Sequence, residues 1–134
     1  MNSILFCWNV RGLGKPEKVR AVTSVLKSSK EKIAFLQESK ASQFTPSLLK
    51  RLKGPQFSDC VFYLLVGASG GLISLWDRQF FKVRASMITG RWIGLLGQFE
   101  SCTSECLLIN LYAPNDLASR KLIFEEISEF IDKT

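Results

Sequence analysis

A chain of 134 residues holds one domain at most. It is 46% hydrophobic and 22% charged, which excludes disorder, and no apolar run nears the ~20 residues of a membrane span. The net charge of +6 is unevenly held: residues 1–53 carry eleven Lys or Arg against three acids, +8, while residues 54–134 carry seven against nine, −2. Along the chain, residues 4–9 (ILFCWN) read as a buried strand. Pro16 suits the first turn of a helix, and Val19, Val22 and Leu26 then recur at helical spacing through about Ser29. Residues 33–38 (IAFLQE) are a second buried strand. Thr45-Pro46 signals a helix start, and 47–53 a short helix closed by Gly54-Pro55. Residues 59–66 form a strand, 67–71 a tight loop, and 72–76 the next strand, turned at Asp77-Arg78. Phe81, Val83, Ala85 and Met87 alternate with Lys82, Arg84 and Ser86, the period-two signature of a half-exposed strand. Residues 92–99 and 106–112 are two more strands. Asp116 can cap a last helix whose apolar stripe is Ile123, Ile127 and Phe130.

The four cysteines, Cys7, Cys60, Cys102 and Cys106, include no C-x-x-C pair, and no histidine is present to complete a mixed zinc site. Cys7 and Cys60 lie in apolar runs and read as buried thiols; Cys102 and Cys106 flank a hairpin turn. The N-terminus shows no basic leader, and its apolar run is short for a signal peptide, so an intracellular protein, nuclear or cytoplasmic, is expected. The basic first half fits a polyanion such as nucleic acid, and equally a lysine-studded solvated helix face.

Three polar motifs stand at the ends of strand-like runs: Trp8-Asn9-Val10-Arg11-Gly12, Gln37-Glu38-Ser39 and Tyr112-Ala113-Pro114-Asn115-Asp116. Strand ends are where α/β proteins place their chemistry. An amide, a carboxylate and a phenol-plus-amide pair are the groups that gather around Mg²⁺ and a phosphate. Read in order, WNVRGLG, FLQES, SGGLISLWD and LYAPND resemble the endonuclease/exonuclease/phosphatase superfamily, whose fold is that of DNase I. The nearest likeness is to the endonuclease domain of LINE-like non-LTR retrotransposons. The resemblance runs over nearly the whole chain but only the first part of the family's domain.

The resemblance implies roles residue by residue. Glu38 would be the principal ligand of a Mg²⁺ (or Mn²⁺) ion. Asn9 would offer its amide oxygen to that ion or a hydrogen bond to phosphate. Tyr112 and Asn115, in the family's Y-x-P-N motif, would contact phosphate and orient water. Each has a plainer reading: an exposed Glu entering a loop, a turn asparagine before Gly12, a core tyrosine, and an asparagine capping the last helix. Arg11 departs from the pattern, because many relatives carry an acid there. An arginine can instead grip a phosphate by two hydrogen bonds, at a cost in metal affinity.

Family members activate water with the aspartate of a G-D-x-N motif and complete the site with a late Asp-His pair. This sequence has neither G-D-x-N nor any histidine. The expectation is therefore an α/β (α+β) chain, residues 1–134, forming the first half of a DNase I-like four-layer sandwich as a C-terminally truncated domain. It would act on DNA in the intact relative, with a weak Mg²⁺ site, and be inactive alone. The alternative is a non-catalytic nucleic-acid-binding or assembly module. Strands 4–8, 33–36 and 107–111 are apolar on both sides. A mixed sheet with helices on one face is expected, leaving the other face open to self-association or to a second polypeptide.

Overall fold

The structure, a computed structural model, describes residues 5–40, 45–63, 71–89, 91–111 and 117–133. The element order is β1 (Leu5–Asn9), α1 (Pro16–Ser29), β2 (Ile33–Gln37), α2 (Pro46–Lys53), β3 (Asp59–Tyr63), β4 (Leu72–Trp76), β5 (Phe81–Ile88), β6 (Trp92–Phe99), β7 (Glu105–Leu111) and α3 (Leu117–Lys133). Each follows from local chemistry. Pro16 opens α1, whose buried side chains are Val19, Val22 and Leu26. Thr45 caps α2, its side chain accepting from the Leu48 N–H at 3.1 Å.

The strands form two sheets. One has the order β1-β2-β4-β3, the other β5-β6-β7. β1 and β2 are parallel, as a β-α-β unit requires, with Leu5 against Ile33 and Asn9 against Gln37. β4 runs antiparallel between β2 and β3, and all five of its residues are buried. β5 and β7 flank β6, both antiparallel to it, with a register shift between Val83 and Ala85 in β5.

The α/β class is as expected. The layering corrects the expectation of a single sheet with helices on one face. α1 and α2 cover one face of the first sheet through Val10, Leu13, Val22, Leu26, Leu36, Leu52 and Leu75. The other face packs on the second sheet through Ile33, Phe35, Leu72, Phe81, Ile93 and Leu95. The outer face of the second sheet is covered by α3, where Ile123, Ile127 and Phe130 meet Trp92, Leu107 and Ile109. The described elements thus stack as helix, sheet, sheet, helix, while β1, expected as a buried strand, lies at the sheet edge with Cys7 and Asn9 exposed. The reason for the layering is the position of β4. With β2 and β3 on its two edges it has no edge left for β5, so the chain turns a corner at Asp77, whose carbonyl accepts from the Phe80 and Phe81 N–H groups. β5 then starts a second layer.

The second strand stops one residue short of Glu38 and the last begins at Glu105. Residues 64–66 of the expected third strand, Tyr112 of the expected last strand and the expected loop up to residue 70 lie outside the described residues. Among the described residues no helix is long and apolar enough to cross a membrane.

Candidate active site

Parallel pairing of β1 and β2 brings Asn9 and Gln37 side by side at the same end of the sheet. The ladder continues past the strands. Val10 N–H donates to the Gln37 carbonyl at 3.0 Å, Gly12 N–H to the Glu38 carbonyl at 2.7 Å, and Leu13 N–H to the Ser39 carbonyl at 2.7 Å. Val10 and Leu13 are buried against α1, so the two segments are fixed by packing as well as by hydrogen bonds.

Between these anchors the backbone is forced into the left-handed region. Arg11 (φ 53°), Glu38 (φ 53°) and Lys40 (φ 47°) are three of the four non-glycine residues with positive φ among the described residues; the fourth, Lys30, ends α1. Gly12, at φ 105°, sits where a side chain would be strained. Strain of this kind concentrates at functional sites.

Asn9 is exposed, at the end of the edge strand β1. Its Oδ1 accepts from the Arg11 N–H at 3.2 Å, which closes the turn. Glu38 is half-buried, and its carboxylate has no hydrogen-bond or ion-pair partner among the described residues. Ser39, next to it, is fully buried, and its Oγ is also without a described partner.

Arg11 does not stand alone. With Gly12, Gly14, Lys15, Lys18 and Lys40 it lines a concavity of about 410 Å³. None of its four cations forms an ion pair among the described residues. This cationic hollow adjoins Asn9 and Glu38 through Arg11 and Lys40.

Sequence reasoning missed the residue that ties the second sheet to this corner. Asn110, fully buried one residue before the end of β7, donates from Nδ2 to the Ile73 carbonyl at 2.9 Å, to Ser74 Oγ at 3.1 Å and to the Leu36 carbonyl at 3.4 Å. Its Oδ1 accepts from Gln37 Nε2 at 2.9 Å. The signal was a lone amide inside the apolar run 107–111. Asn110 sets the end of β7 beside the end of β2. Tyr112 and Asn115 lie outside the described residues.

Among the described residues Glu38 is the one carboxylate at these strand ends, and no group of three or more His, Cys, Asp or Glu side chains could hold a metal. The donor types still fit a hard ion that takes few protein oxygens and keeps its waters, with Glu38 unpartnered among the described residues and Asn9 exposed at the end of the neighbouring strand. They do not fit a soft or fully caged metal. Of the two cysteines read as buried thiols, Cys7 is exposed and Cys60 half-buried; partial desolvation raises the pKa of Cys7, Cys60 and Cys106.

A fold with these layers and this strand-end corner is that of the DNase I-like proteins. Neither family models nor curated proteins match the sequence. Among solved structures it is similar to truncated TDP2 from Caenorhabditis elegans, with a TM-score of 0.68 and 17% identity over 97% of this chain and 56% of that one. It is also similar to the AP endonuclease LMAP from Leishmania major (0.60, 19%, 90% of this chain and 43% of that one) and to the APE2 catalytic domain from Xenopus laevis (0.58, 17%, 86% and 46%). At these identities the likeness concerns the fold. The chain spans about half the length of the structures it matches.

Proposed function

We propose that this chain forms part of a Mg²⁺-dependent phosphodiesterase site of the DNA endonuclease type found in LINE-like retrotransposons, and that residues 1–134 alone do not cleave DNA. The observation that carries the reading is the pairing of Asn9 with Gln37-Glu38 at adjacent parallel strand ends, an unpartnered carboxylate beside a cation-lined hollow. The AP endonucleases among the fold's neighbours point the same way.

On this reading Glu38 would hold the metal, Asn9 would help place metal or phosphate, and Arg11 would hold a phosphate oxygen. Tyr112 and Asn115 would orient phosphate and water. The ion would supply charge neutralisation at the phosphate. A single carboxylate amid four cations makes for weak binding in the absence of phosphate. Cleavage needs a group that activates water, worth roughly 10²–10⁴-fold in rate, and the sequence provides neither G-D-x-N nor histidine for it.

Titration with Mn²⁺, followed by paramagnetic broadening in NMR spectra, tests the site. Broadening should centre on residues 9 and 38 and vanish in Glu38→Gln. Broadening that persists there in Glu38→Gln would remove the assignment.

A second reading, a non-catalytic nucleic-acid-binding module, is favoured by the four unpaired cations of the hollow. It differs in needing no metal: duplex binding in EDTA, weakening steeply with salt, would support it.

A further inference from the structure

Four of the seven large apolar side chains exposed among the described residues belong to one element. They are Leu117, Leu122, Phe124 and Ile131 of α3, at 68%, 40%, 65% and 55% exposure. The helix does not need them for its own docking, which uses Ile123, Ile127 and Phe130 on the second sheet. It is held there also by Glu126, whose carboxylate accepts from Trp92 Nε1 at 3.0 Å and pairs with Arg91 at 2.9 Å. Leu117, Phe124 and Ile131 fall seven residues apart. Seven residues come within about 20° of two full turns, so the three form a nearly straight stripe along the helix. It lies roughly a quarter turn from the stripe that faces the sheet.

We propose that this stripe is the interface of a homodimer in which α3 of a second copy of the chain packs antiparallel on α3 of the first. The spacing is the first argument. Leu117 and Ile131 are equidistant from Phe124, so a two-fold axis at Phe124 lays Phe124 on Phe124 and each Leu117 on the partner's Ile131, the self-complementary pattern of an isologous contact.

Charge is the second argument. The first half of α3 carries Arg120 and Lys121, and the second half carries Glu125, Glu126, Glu129 and Asp132, with Lys133 at its end. Antiparallel packing sets Lys121 beside Glu125 of the partner subunit, twice, whereas parallel packing sets acid against acid. Size is the third. The 17 residues of α3 make a seam about 25 Å long, which belongs with small, reversible interfaces rather than obligate ones. The dimer is therefore concentration-dependent. It is independent of the strand-end site, because α3 packs on the far face of the second sheet from the first.

Sedimentation equilibrium over a range of concentrations tests this on the chain as it stands. The wild-type protein should pass from monomer to dimer as concentration rises. Phe124→Glu should raise the dimer dissociation constant about 100-fold or more, because the change acts on both sides of the axis, and should leave the circular dichroism and melting temperature unchanged, because Phe124 is exposed. Lys121→Glu should weaken the dimer about tenfold, and the exchange Lys121→Glu with Glu125→Lys should restore it. A wild-type chain that stays monomeric up to roughly 0.5 mM would overturn the proposal. So would a dimer that survives Phe124→Glu, or one that Lys121→Glu does not weaken.

Discussion

Replacing Asn110 with aspartate changes one buried N–H₂ group into an oxygen and almost nothing else in shape. In the native protein that group donates to two carbonyl oxygens, of Ile73 and Leu36, and to Ser74 Oγ. Carbonyls cannot donate, so an ionised carboxylate in its place would face two acceptors with no water to intervene. Full burial raises a carboxyl pKa by up to about 3–5 units, and each unit corresponds to about 1.4 kcal/mol. The cost at neutral pH is then about 4–7 kcal/mol, a large share of the roughly 5–15 kcal/mol that holds a domain folded. The sign is fixed by linkage. An acid whose folded pKa lies above its unfolded value destabilises the native state as pH rises from about 3.9, the unfolded aspartate value, and most above the folded pKa. At acid pH the neutral carboxyl can donate to Ile73, and the penalty shrinks to the one lost hydrogen bond, about 1 kcal/mol. Urea unfolding of wild-type and Asn110→Asp proteins between pH 4 and 8 measures the difference at each pH. A difference below about 1 kcal/mol that stays flat across this range would refute the network as described.

Gly71 has φ 98°, and a Cβ there would collide with the buried Ser39 Oγ. Gly71→Ala should therefore destabilise by about 2–4 kcal/mol in thermal melts, and adding Ser39→Gly should recover the collision but not the backbone strain. Glu105 is exposed and accepts from Arg84 at 2.6 and 3.0 Å, a hydrogen bond that lowers its pKa. Its small stabilisation is present above the ordinary Glu range and is lost as pH falls through the lowered value. Glu105→Gln should lower the melting temperature slightly at pH 7 in low salt, and the effect should vanish both in strong acid and in about 1 M salt.

What the sequence made legible was local. α1 runs over the residues that Pro16, Val19, Val22 and Leu26 mark out, and α2 begins at the Thr45 cap, because helix periodicity and capping act within a few residues. The juxtaposition of Asn9 with Gln37, the residue before Glu38, was also legible, since a strand-helix-strand unit makes its strands parallel and gathers their ends. The partner choice of β5 was not. The succession of β3, β4 and β5 reads as consecutive hairpins, and only the non-local pairing of β2 with β4 closes the edge that β5 would have used. Asn110 was passed over for a related reason: within 107–111 nothing tells whether an amide points to solvent or to another strand's carbonyls. The exposed stripe of α3 was hidden because its inner neighbours already satisfied a helix pattern.

The strained turns explain why a site of one carboxylate can still be well formed. Arg11 stands between Val10 and Leu13, both buried, and Glu38 stands between Gln37, bonded to Asn110, and Ser39, whose N–H donates to the Gly71 carbonyl at 3.2 Å. Arg11 and Glu38 are thus flanked on both sides by groups that cannot move without opening a core. Left-handed conformations at non-glycine positions cost of order 1–3 kcal/mol each, so they persist only where the surroundings over-determine them. Here the surroundings include packing and backbone hydrogen bonds within the protein. On the proposed function, the weakness expected of the metal site is a matter of charge. Arg11, Lys15, Lys18 and Lys40 oppose a cation at Glu38 and favour an anion beside it. On that proposal a phosphate in the hollow relieves the repulsion, and by linkage metal and phosphate strengthen each other's binding by the same factor.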